Sequence, residues 1–144
     1  MLGPNHKLIF NNQAFQLGMT LPANTSAVAT NALRAGGARG LLAITITAAN
    51  AAVALAITKK LTVSLQVGAT ETGSFAAPKH NPTLVVTMAA AYAPAQNDVI
   101  TTMVVPMGLI SGDNTAAKWV KAVVATDDAA AAGLINVFME YLAH

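Results

Sequence analysis

Residues 61–68 read Leu-Thr-Val-Ser-Leu-Gln-Val-Gly, apolar at every odd position and polar at every even position until the glycine. A period of two marks a strand with one buried face, because successive side chains leave a pleated chain on opposite sides. Residues 41–48 read likewise, with Ile44 and Ile46 facing one way and Thr45 and Thr47 the other. Further β-branched runs lie at 83–88, 99–105, 119–126 and 134–142. Clusters rich in Gly, Pro, Asn, Asp and Ser separate them, at 36–37, 48–50, 70–73, 78–82, 93–98, 108–115 and 127–133. Short strands with turn chemistry between them predict an all-β sandwich or barrel of antiparallel strands. The helix–strand alternation of a βαβ chain is missing.

Alanine is the commonest residue, and as a strong helix former it argues for helices. Two segments fit both readings: 116–125, which Asp113 or Asn114 could cap as a helix, and 129–142. Their β-branched content and the turn residues at their ends favour strands. The opening of the chain has no clean period. Phe10, Phe15, Leu17, Met19 and Leu21 are scattered among Asn, Gln and Pro. Residues 1–25 are therefore expected to be an irregular N-terminal arm, and 26–144 the sandwich domain. Such an arm crosses its own sandwich or reaches a neighbouring subunit.

At 144 residues the chain fits one domain. Hydrophobic residues make up 54% and charged residues only 10%, against about 25% in an ordinary domain. The net charge of +2 comes from scattered cations, with no run longer than Lys59-Lys60. Nucleic-acid binding needs clustered Lys and Arg, so no nucleic-acid partner is expected. The chain has no cysteine, which excludes disulfides, thiolate metal sites and cysteine nucleophiles. The first residues lack a basic stretch followed by an apolar core, so no secretory signal is read there, and the sequon at Asn24 is taken as chance. The uncharged stretch 40–58 approaches the ~20 residues that span a bilayer. Its alanines, its threonines and the alternation at 44–47 favour a soluble strand, and no membrane partner is expected.

The search for chemistry finds little. His6, His80 and His144 lie far apart, without a second ligand at helical spacing. His80 sits between Lys79 and Asn81 in a proline-bounded loop and reads as a surface histidine. Ser111 in Gly108-Leu109-Ile110-Ser111-Gly112 is not a nucleophile elbow. Of the six carboxylates, Glu71, Asp98, Asp113, Asp127 and Asp128 fall in expected turns, where Asp closes loops. Asp127-Asp128 has too few oxygen ligands for a cation site and reads as a solvated turn. Glu140 falls in a strand, on its polar face. The run Gly36-Gly37-Ala38-Arg39-Gly40 lacks phosphate-loop spacing and precedes a strand. No catalytic, cofactor-binding or metal-binding set is expected; the chain does not read as an enzyme.

What remains is a charge-poor surface, with little repulsion against self-association. Exposed sheet edges are normally blunted with Lys or Pro, and few are available here. A protein whose edges are covered by neighbours escapes that requirement, so the composition favours an assembly role.

The order of segments resembles a family. Asn12-Gln13-Ala14-Phe15 is followed by a Thr/Ser/Val strand at 25–30 and by the glycine loop 36–40, which leads into Leu41-Leu42-Ala43-Ile44-Thr45-Ile46. The strand at 61–67 precedes Glu71-Thr72-Gly73-Ser74-Phe75. Val104-Val105-Pro106-Met107-Gly108 leads to Lys118-Trp119-Val120-Lys121, and Ile135-Asn136-Val137-Phe138-Met139 closes the chain. This pattern, over 12–142, is similar to the small capsid cement, or decoration, proteins of tailed bacteriophages, those of Bordetella-phage type above all.

The resemblance implies a jelly-roll-like β-sandwich on the outer surface of the capsid of a virion, made in the bacterial cytoplasm. It would clamp neighbouring copies of the major capsid protein and self-associate as a dimer or trimer. The contacts are expected in the apolar N-terminal segment, with Phe10, Phe15 and Leu17, and in the loop carrying Arg34 and Arg39. Two other roles compete: a sandwich binding a glycan or host surface through its end loops, and a tail or fibre component of the same particle.

Overall fold

The computed structural model describes residues 13–24, 26–34, 40–107 and 118–142. Among these, every regular element is a strand: β1 Gln13–Thr20, β2 Ala27–Ala29, β3 Leu33–Arg34, β4 Leu41–Ala48, β5 Lys60–Gly68, β6 Thr83–Thr87, β7 Val99–Pro106, β8 Trp119–Thr126 and β9 Leu134–Leu142. The alternating runs of the sequence thus become strands within a residue of their expected ends. The two ambiguous segments become β8 and β9. The uncharged stretch at 40–58 forms β4 and a loop, and no helix among the described residues is long and apolar enough to cross a membrane.

The strands form two antiparallel sheets. The first has the order β1-β9-β4-β7; the second has β2-β8-β5-β6, with β3 also on β8. The pairs nest. β5 pairs β6, β4 pairs β7, β2 and β3 pair β8, and β1 pairs β9. The chain is in effect one long hairpin, wound over so that β4 also meets β9 and β5 also meets β8. The two sheets make an antiparallel β-sandwich.

Alternation decides what lies between the sheets. Leu42, Ile44 and Ile46 of β4, Leu61, Val63 and Leu65 of β5, Val120, Ala122 and Val124 of β8, and Ile135, Val137 and Met139 of β9 are at most 1% exposed. Each fully buried Leu, Ile or Val contributes about 1.5–3 kcal/mol relative to exposure. The few polar groups in this layer are satisfied. Thr30 Oγ1 donates to the Asn31 carbonyl at 2.9 Å and accepts from the Ala122 N–H at 3.1 Å. Thr126 Oγ1 donates to the Pro22 carbonyl at 2.6 Å. Among the described residues no buried side-chain N or O lacks a partner.

The expected boundary after residue 25 requires correction. Residues 13–20 are β1, which pairs with β9 in the first sheet, so the sandwich includes Gln13–Thr20. Gln16 pairs Val137 while Met19 pairs Ile135, leaving one extra residue in β1. Gly18 has φ +67° and donates its N–H to Asn136 Oδ1 at 3.0 Å. A bulge of this kind reverses the parity of a strand. Leu17 therefore faces out and Met19 faces in, although both are odd-numbered. The expected period-two signal is absent for this reason.

Gly133 opens β9 at φ +99°, and a Cβ there would collide with the Val53 backbone. Gly18 also has positive φ, but its Cβ would meet nothing within 4 Å. Gly133→Ala is therefore predicted to destabilise the protein by more than the ~1–3 kcal/mol of backbone strain alone, and Gly18→Ala by about that strain or less. Urea unfolding of the two variants checks the order; equal losses would contradict the collision.

Candidate functional site

The outward faces of the two sheets differ. Cross-strand register places Phe138, Thr45 and Thr102 in one row of the first sheet, with Phe15 as the β1 partner of Phe138. The next rows are Glu140, Ala43 and Val104, then Leu142, Leu41 and Pro106. Of the eight large hydrophobics exposed among the described residues, six belong to this sheet: Leu17, Leu41, Val99, Val104, Leu134 and Phe138. Val104 is 49% exposed and Phe138 38%. Exposed large hydrophobics gathered on one sheet, with threonines between them, make this face the candidate interaction surface.

Charge divides in the same way. The strands of the first sheet carry a single charged residue, Glu140. Those of the second carry Arg34, Lys60 and Lys121. The Lys121 ammonium lies 4.3 Å from the centroid of the Phe75 ring, a cation–π contact that holds the 69–82 loop against the second sheet. One face is thus nearly neutral and apolar, the other cationic.

Phe10 and Arg39 lie outside the described residues, and of Phe15 only the backbone position in β1 is described. Leu17 is exposed beside the bulge of β1. Arg34 is exposed in β3, on the second sheet, and its carbonyl accepts a hydrogen bond from the Tyr141 hydroxyl at 2.6 Å. The bulge lies against Asn136 and Arg34 against Tyr141. Five residues of β9 separate these levels, about 16 Å at strand rise. Leu17 and Arg34 thus lie on different sheets and at different levels of β9. Sequence reasoning missed Phe138 and Val104. For Phe138 the signal was present, since it has the parity of Asn136 and Glu140 and so belongs to the outer face of β9.

The other candidate chemistry resolves into structure. Asp128 is not a solvated turn residue. It is 3% exposed, and its carboxylate accepts N–H bonds from Ala56 at 2.7 Å and Ala130 at 2.8 Å. These bonds, the Ala56 one foremost, hold its pKa below the usual carboxylate value, with the Lys59 charge assisting. Asp127 is exposed and accepts the Lys60 N–H at 2.7 Å. His80 is exposed in its loop. No group of three or more His, Cys, Asp or Glu among the described residues could hold a metal ion. Comparison with family models, with curated proteins and with solved structures yields no match in any of the three.

The Asp128 ties imply a pH dependence. A carboxyl whose folded pKa is depressed adds stability above its unfolded value, near 3.9, and loses it as pH falls toward the folded value. The melting temperature is predicted to drop as pH falls below about 4. Asp128→Asn should melt lower than wild type at neutral pH and should show a smaller drop in acid. Parallel curves would contradict this role.

Proposed function

We infer that this protein is a structural virion component that binds the outside of an icosahedral phage shell and cements contacts between major capsid subunits. The observation that carries the reading is the outer face of the first sheet, apolar and almost without charge. It supplies a surface able to lie against another protein with little desolvation cost. The resemblance in segment order supports the same reading. Binding to assembled shells and not to separated subunits would stabilise the shell by mass action. Repetition over many lattice sites would turn modest single-site affinity into mechanical reinforcement.

The contact centres on Phe138, Thr45 and Val104 in this account, with the cationic second sheet turned away from the shell. Sedimentation of purified shells with added protein tests it. Phe138→Asp and Thr45→Asp should each weaken binding about tenfold or more, while Thr62→Asp on the second sheet leaves it unchanged. Wild-type protein that fails to sediment with shells, or equal loss in all three variants, would overturn the reading.

A further inference from the structure

Gly68 ends β5 with the parity of Ser64 and Gln66, so a side chain there would point out of the second sheet. Phe75 fills that space. A Cβ at Gly68 would lie 3.1 Å from Phe75 Cδ2 and Cε2, and 2.8 Å from the Ser74 carbonyl oxygen. Two N–H···O bonds between Val67 and Ala76, of 2.8 and 2.9 Å, hold the ring's own segment in place. The Lys121 ammonium, 4.3 Å from the ring centroid, holds the ring itself. Register sets Trp119 of β8 beside Gly68, and Arg34 of β3 beside Trp119. Phe75, Trp119 and Arg34 thus form one outward row across two strand spacings, about 10 Å. Lys121 and its partner Gln66 stand in the next outward row, about 7 Å along β8. Trp119 is half-buried and Arg34 is exposed.

We propose that Trp119, Phe75, Arg34, Lys121 and Gln66 form a binding site for a carboxylated oligosaccharide, a chain containing uronic or sialic acid. The C–H face of a sugar ring lies on the indole, whose π-face is negative and attracts it. The Arg34 guanidinium takes a carboxylate through two parallel N–H donors. Gln66 offers an amide donor and acceptor to ring hydroxyls, and Lys121 adds a second positive charge.

Charge complementarity selects an acidic ligand. Arg34, Lys121 and the exposed Lys118 meet at this end of the sheet, against one carboxylate, Glu71, in the adjoining turn. The arrangement of groups selects a sugar. β8 lies between β3 and β5, and the Lys118 N–H already donates to the Gly68 carbonyl at 3.0 Å. With the main chain in use, a peptide cannot add as a strand here, and recognition falls to side chains. Single-stranded nucleic acid is held by cations that track its backbone and by open ring faces. Here the cations are few, and Lys121 already stands over Phe75. The site is on the sheet turned away from the shell in the reading above, but it does not rest on that reading.

Trp119 is the only tryptophan in the chain, so its fluorescence reports on the site directly. The full-length protein is titrated with tetragalacturonic acid, with trisialic acid, and with the methyl ester of tetragalacturonate, which keeps the rings and loses the charge. The proposal predicts a saturable change in emission with at least one of the two acids. Binding of that acid should weaken about tenfold in Arg34→Ala and several-fold in Phe75→Ala, and the neutral ester should bind more weakly than its acid. Lys60→Ala, which removes one charge from the far end of the same face, should bind as wild type does. Melting curves first establish that each variant is folded; Arg34→Ala keeps the carbonyl that Tyr141 uses. Four results would overturn the proposal: no saturable change with either acid at millimolar concentration; an ester that binds as tightly as its acid; equal loss in Arg34→Ala and Lys60→Ala, which means diffuse attraction; or tighter binding of oligothymidylate or polyglutamate, which assigns the site to another class of partner. None of them bears on sedimentation with shells, so the two readings fail separately.

Discussion

The inner faces of β4, β5, β8 and β9 meet in an apolar layer, and the rest of the molecule depends on the parity that keeps them there. Every inner position of these strands is paired across a ladder with another inner position. A slip of one residue would turn the inner row of β4, including Ile44 and Ile46, outward and bring Thr45 and Thr47 into the core. Such a slip is blocked at the margins. Asn50 Oδ1 accepts from the Ala52 and Leu134 N–H groups, fixing where β4 ends and β9 begins. Asp128 joins the 51–59 loop to the turn between β8 and β9. These ties use polar chemistry to fix position.

The same parity exports everything else. Once Leu, Ile and Val fill the inside, the outer face of the first sheet receives Phe138, Val104, Leu41 and threonines, and a single carboxylate. The second sheet receives the cations. With charge so scarce, this division gives the sandwich two chemically distinct sides. A sided sandwich suits a molecule that lies on a surface: one face can be covered while the other keeps the particle soluble.

Much of this was legible in the sequence. β4 and β5 were found because alternation survives unbroken in them, and β6, β7, β8 and β9 because their β-branched runs are bounded by turn residues, although the alanines left 116–125 and 129–142 open to a helical reading. β1 was missed because the bulge at Gly18 cancels the period within an eight-residue strand. Asp128 was misread because its partner Ala56 lies 72 positions away, and local sequence cannot distinguish a turn open to water from one closed by another loop. The contact surface was sought in the aperiodic N-terminal segment and the arginine loop. The surface proposed here was less visible in the strands, where one outward Phe or Val looks ordinary until register places it on the same face as others.

The central claim, an assembly protein working in a lattice, is tested most directly by its stoichiometry in purified particles from the same genome. Quantitative mass spectrometry would compare it with the major capsid protein. The account predicts a molar ratio near one, or a simple fraction of one. A ratio of a few per cent would place the protein at a tail or vertex and contradict the cement role, and its absence from the particle would remove the capsid reading altogether.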